Sequence, residues 1–155
     1  MAIAGAWPSS GALAAWSAEV SRELGRLKVT VWGEVEGGRA VYATCDTGRN
    51  ALLALLVPTN DPGLTTTGMT LSFTFADGAR WTSRTALYRY DNDFIAVGYS
   101  NAGDVPAIVG ALARARQQVQ IGLTGANGEA RTWSADVAGS TAAARRFLDN
   151  CFNTN

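Results

Sequence analysis

The sequence predicts an α+β fold: an antiparallel twisted sheet, or a small β-sandwich, of about eight or nine strands, flanked by an N-terminal, a middle and a C-terminal helix. Three observations predict it. Short stretches of period-two alternation recur along the chain, separated by turns rich in Gly, Asp and Asn. Three other stretches carry apolar residues at helical spacing. The chain has 155 residues and 47% hydrophobic composition, the usual size and make-up of a single packed domain.

The elements follow in order. Ala12, Leu13, Trp16, Val20 and Leu24 have helical spacing, with Ser9 or Ser10 as N-cap and Gly25 as C-cap, so a helix is expected over 9–26. The sheet-plus-helix core then occupies 27–152. Leu27 to Val35 alternates, placing Leu27, Val29, Val31 and Val35 on one face and Lys28, Thr30, Trp32 and Glu34 on the other. After the turn Glu36-Gly37-Gly38, Arg39 to Cys45 alternates again, and Tyr42 falls beside Trp32 across the hairpin. Ala51 to Val57 is a continuous apolar run, read as a strand buried on both sides, and 58–68 is a loop.

Met69 to Phe75 sends Leu71, Phe73 and Phe75 inward, and Asp77-Gly78 marks a type I′ hairpin turn. Arg80 to Ser83 returns, and Thr85 to Tyr90 pairs with Phe94 to Tyr99 around Asp91-Asn92-Asp93. Asp104 is the expected cap of a helix with Val105, Ile108, Val109 and Leu112 on one face and Pro106 in its first turn. Val119 to Leu123 and Ala130 to Val137 form a hairpin around Asn127-Gly128. Ser140 caps a last helix whose apolar stripe is Ala144, Phe147, Leu148 and Cys151.

Charge and composition exclude several function classes. Thirteen basic and thirteen acidic residues balance, and no basic stripe interleaves with aromatics, so a nucleic-acid partner is not expected. Arg114 with Arg116, and Arg145 with Arg146, are read as cations opposing the dipoles of helix C-termini. The longest apolar run has seven residues, so no membrane span is expected. There is no histidine, which removes Ser-His-Asp and Cys-His catalysis and the common zinc sets. Lys28 is the one lysine, and it points away from the apolar side. No catalytic residue, metal or cofactor is assigned. Asp91 and Asp93 offer oxygens of the kind calcium takes, but a turn explains them equally.

Two features remain. Cys45 ends a strand and Cys151 lies on the apolar face of the last helix, 106 positions away. They are either two buried free thiols or a disulfide joining sheet to helix, and a disulfide belongs to an oxidising compartment. The aromatics are the second. Trp32 and Tyr42 face away from the aliphatic side of their strands, and Tyr88, Tyr90 and Tyr99 come from the next hairpin. A covering helix would make them a second core layer, as in a sandwich. Left open, they form an amphipathic patch suited to a protein partner, with Trp32, Tyr42, Tyr88 and Tyr90 as contacts.

Several stretches together resemble a known layout. They are the strand Val41-Tyr42-Ala43-Thr44-Cys45, the antiparallel middle sheet, the helix-then-strand Val105 to Leu123, and the C-terminal Gly-Ser-Thr-Ala-Ala-Ala…Leu-Asp-Asn-Cys helix. This resembles small periplasmic proteins of Proteobacteria, the invasion-associated locus B-like proteins and the type VI secretion-associated accessory proteins. The chain departs from the first group in having only two cysteines. The resemblance implies a cell-envelope accessory role without catalysis, and carries over no site residues beyond Cys45 and Cys151.

The expectation is therefore a non-enzymatic periplasmic or secreted binding protein, a mature chain without its signal peptide, whose partner is another protein. Two rival readings remain: an immunity or inhibitor protein against a toxin or hydrolase, and a small carboxylate-dependent hydrolase or lyase. A small-ligand carrier would need an enclosed apolar cavity.

Overall fold

The computed structural model describes residues 15–46, 49–61, 69–99, 102–125 and 128–152. Its strands are β1 (Trp16–Glu23), β2 (Arg26–Val35), β3 (Arg39–Asp46), β4 (Arg49–Pro58), β5 (Thr70–Thr74), β6 (Arg80–Arg89), β7 (Phe94–Tyr99), β8 (Val119–Thr124) and β9 (Ala130–Ala135). Its helices are α1 (Val105–Arg114) and α2 (Ser140–Cys151). The fold is α+β: one nine-stranded antiparallel sheet, in the order β1-β2-β3-β4-β7-β6-β5-β8-β9, curled into a half-barrel. The inner face holds the main core. Val29, Val31, Val41, Leu53, Leu55, Leu71, Phe73, Val97 and Ile121 meet Ile108 and Val109 of α1 and Phe147 of α2 there. The helices thus plug the half-barrel on the side where strand alternation places the aliphatic residues.

The helix expected over 9–26 is replaced, in the part described, by strand β1; residues 9–14 lie outside the described residues. The spacing itself is ambiguous. Trp16, Val20 and Leu24 recur every four residues, which fits one face of a helix and, being even, also one face of a strand. Pairing decides between them. Trp16 lies opposite Gly33, Ala18 opposite Val31 and Val20 opposite Val29, so β1 extends the apolar inner face of β2. The Trp16 ring covers Gly33 so closely that no larger residue fits there, and its Nε1 donates to the Asp136 carbonyl at 2.5 Å. Gly25, expected as a helix C-cap, instead closes the β1–β2 hairpin together with Leu24.

Other departures are local. Arg80 to Ser83 and Thr85 to Tyr90 are one strand rather than two, because the alternation never breaks. Its first half pairs with β5 and its second with β7. The β5–β6 turn has a positive φ only at Gly78, so a three-residue loop closed by the Phe75 N–H on the Ala79 carbonyl replaces the type I′ turn. Asp104 makes no capping bond; its carboxylate accepts from the Tyr99 hydroxyl at 3.2 Å. Ser140 is the first residue of α2 rather than its cap, with Gly139 before it. The Ser140 hydroxyl donates to the Leu112 carbonyl at 2.8 Å and Thr141 donates to Ala113 at 2.8 Å, tying α2 to the end of α1. Arg145 and Arg146 sit in the middle of α2, not in its last turn, so only Arg114 opposes a helix dipole as expected.

The two ends of the sheet approach each other. The Trp16 N–H donates to the Ala138 carbonyl, the Glu36 N–H to the Ser134 carbonyl, and the Ser134 N–H to the Glu36 carboxylate. A buried ion cluster fastens the same seam. Arg39 grips Asp61 through Nε and Nη2 (3.1 and 2.5 Å), Arg131 stands 3.7 Å from the other carboxylate oxygen, and the Arg39 guanidinium lies 4.2 Å over the Trp133 ring. Nothing in the sequence marks this cluster, since its members come from distant segments.

Candidate functional site

The alternation that sends valines and leucines inward sends a second set of residues to the outer face of β2, β3, β4, β7 and β6. Trp32 and Tyr42 are direct partners across the β2–β3 hairpin, as expected. Their ring centroids are 4.7 Å apart, and Tyr90 completes a triad at 6.1 Å from Trp32 and 5.5 Å from Tyr42, edge-on to both. Edge-to-face geometry at these distances is the favoured aromatic arrangement. The rings pack on an apolar bed of Ala40, Ala54, Leu56, Phe94 and Ala96, all buried. The bed is the part that sequence reasoning missed, although the continuous run Ala51 to Val57 already required cover on both faces.

The triad is only partly buried, and Tyr88, opposite Ala96 at its border, is 40% exposed. Neither α1 nor α2 supplies the cover that a second core layer would need; both pack on the inner face. Burial, followed by the neighbouring Tyr42, raises the Tyr88 phenol above its usual pKa. The same two causes, with Asp91 and Tyr88 added, raise Tyr90 to about 12. The Tyr88 and Tyr90 hydroxyls therefore stay protonated at neutral pH. Tyr99 does not join the patch. It points inward against Phe73, and burial and its bond to Asp104 raise its pKa.

Cys45 and Cys151 form a disulfide, with their Cα atoms 6.2 Å apart. It fastens α2 to β3, on the inner side of the strand that presents Tyr42 outward. The acidic pairs have local tasks. The Asp91 carboxylate accepts from the N–H groups of Asp93 and Phe94, an Asx turn that shapes the β6–β7 connection next to Tyr90. Glu36 accepts from Ser134. Among the described residues, no three His, Cys, Asp or Glu side chains gather as metal ligands. No described helix is long and apolar enough to cross a membrane. Two depressions beside the end of α1, of about 310 and 420 Å³, are open grooves rather than the enclosed cavity a carrier needs.

No protein-family model matches the chain, and no curated protein sequence does. A solved structure with a similar backbone is that of invasion associated protein B from Bartonella henselae. The TM-score is 0.54 with 15% identity, over 87% of this chain and 91% of that one. At that identity the likeness is one of fold, and it supports the layout resemblance read from the strands and the last helix.

Proposed function

We propose that this protein is a non-enzymatic binding or accessory protein of an extracytoplasmic compartment, acting on another protein through its aromatic outer face. The observation that carries the reading is the Trp32–Tyr42–Tyr90 triad, partly open on a sheet face that neither helix covers, with exposed Tyr88 at its border. Trp and Tyr are the residue types that dominate interface energetics, because they bring large contact area with few rotatable bonds. The Cys45–Cys151 bridge supports the compartment, since such bonds persist where thiols are oxidised. The fold it shares with an invasion-associated protein points the same way.

Site-specific photo-crosslinking in the producing cell tests the reading. A photoreactive residue at position 88 should give a discrete adduct with a second protein. The same residue at Thr132, exposed on the outer face of β9, should not. Adduct formation at 88 should fall when Tyr42 and Tyr90 are both changed to Ser. Equal adducts at both positions, or none at 88, would remove the aromatic face as the interface.

A further inference from the structure

A second surface lies away from the aromatic face, and nothing in the preceding reading uses it. The 310 Å³ depression is lined by buried Phe75 and Ala111 together with Arg114, Arg116, Gln117 and Asp77. It shares Phe75, Ala76 and Gln117 with the 420 Å³ depression, which continues along Gln118 and Gln120. Together they make one open groove from the end of α1 across the β5–β6 turn to β8.

The two arginines are the informative part. Among the described residues neither forms an ion pair, and Arg116 has only a 3.5 Å contact to the Ala115 carbonyl beside it. Cations at a helix C-terminus are ordinarily accounted for by its unsatisfied carbonyls. Here two of those carbonyls have other partners: Leu112 accepts from Ser140 Oγ and the Ala115 N–H, and Ala113 accepts from Thr141 Oγ1. Both arginines line the groove, and among the described residues neither guanidinium is held by a carboxylate. Asp77, the one acid in the same lining, accepts from the Ala79 N–H at 2.9 Å, and the two arginines leave the lining with a net positive charge.

We propose that this groove binds an extended acidic segment of a partner protein. Guanidinium forks match carboxylates in two-point geometry and are more selective for them than an ammonium. The carboxamides of Gln117 and Gln118 each offer donors and an acceptor to a peptide backbone, while the Gln120 amide is engaged with Ser134 Oγ at 2.9 Å. Phe75 and Ala111 supply apolar surface for glutamate methylenes. A lining that runs through both depressions, from Arg114 to Gln120, suits a segment of several residues rather than a lone anion.

The test uses a fluorescein-labelled hexaglutamate peptide and anisotropy at low and high salt. Saturable binding is expected to the intact chain, weakened by salt because surface charges are screened. The R114Q/R116Q variant, checked for folding by circular dichroism, should bind about tenfold more weakly. The Tyr88→Ser variant should bind unchanged, which separates this groove from the aromatic face. Three results would overturn the proposal: no saturable binding, equal binding of hexaglutamine, or no loss in R114Q/R116Q. Competition by free glutamate at the same carboxylate concentration as strong as that by the unlabelled peptide would also overturn it, since the groove would then hold a small anion only.

Discussion

One sheet carries two different outer faces. Across β2, β3, β4, β7 and β6 the facing rows read Trp32, Tyr42, Ala54, Gly98, Ala86 and Glu34, Ala40, Leu56, Ala96, Tyr88. Across β9, β8, β5 and β6 they read Thr132, Gly122, Ser72, Thr82 and Ser134, Gln120, Thr74, Arg80. The inner faces do not differ in this way: Leu55 and Val97 in the first half, and Phe73 and Ile121 in the second, are all fully buried. An antiparallel sheet with one buried face ordinarily turns polar residues to water, as the second half does. The first half departs from that pattern, and among the described residues no helix covers it. Stability accounts for the inner face throughout, so the outer difference is where function should be sought.

If that division is right, inner-face truncations should cost alike in the two halves. Phe73→Ala should lose about 3–5 kcal/mol and Leu55→Ala about 2–5 kcal/mol, by lost transfer energy and a residual cavity. Urea denaturation measures both. A cost below about 1 kcal/mol at either site would mean that half is not anchored to the shared core.

The disulfide sharpens the comparison, because it fastens α2 to the aromatic half. It closes a separation of 106 residues, and removing it as C45A/C151A should cost about 2–4 kcal/mol. Native-state hydrogen exchange should then speed up in α2 and β1–β3 more than in β5 and β8. A uniform increase would show that the two halves open as one unit.

On the outer face the halves should part. Tyr42→Ala removes contacts to both other rings and should cost about 1–2 kcal/mol, whereas Ser72→Ala should stay within about 0.5 kcal/mol. The same contrast shows in alkali. An unfolded tyrosine ionises near 10, and burial raises Tyr88, Tyr90 and Tyr99 above that in the folded chain. The folded state therefore holds protons that the unfolded state releases. The stability linked to these groups is complete below about pH 10 and is lost as pH rises through about 12, where Tyr90 titrates. Absorbance at about 295 nm, the phenolate band, should show a delayed phase that Tyr90→Phe shortens. A single transition near 10 for every tyrosine would mean the triad is open to water.

Much of this was legible in the sequence, and for a definable reason. Wherever alternation was long and bounded by turn residues, as in Leu27 to Val35 or Met69 to Phe75, strand, face and register partner followed, including Trp32 against Tyr42. The two inward positions allowed a Cys45–Cys151 bridge or two buried thiols, and the structure has the bridge. The seam of Arg39, Asp61, Arg131 and Trp133 was not legible, because closure of the half-barrel brings together residues with no local pattern. Nor was the groove at Arg114 and Arg116. There hydroxyls of α2 take two of the carbonyls at the end of α1, a contact between distant segments. Tyr99 was placed with the outer tyrosines as a member of the same hairpin, yet its parity in β7, shared with Val97, turns it inward.

The smallest expected effect concerns the hairpin whose first strand was read as a helix. A two-residue turn of type I′ geometry needs positive φ at both positions, and Asn-Gly is its strongest sequence signal. Here the pair is Leu24-Gly25, with φ of 53 and 78. Leucine is poorly suited to that region, since its Cβ crowds the backbone, and Leu24 is fully exposed, so no packing offsets the strain. The β5–β6 hairpin in the polar half places Gly78 at its one positive φ and carries no such mismatch. Leu24→Asn should therefore stabilise by roughly 0.5–1 kcal/mol, whereas Gly78→Asn should be neutral or destabilising. The sign in thermal denaturation is the test. A loss of stability at Leu24→Asn would mean that the leucine is held by a contact of its own, and that the aromatic half extends to the tip of β1.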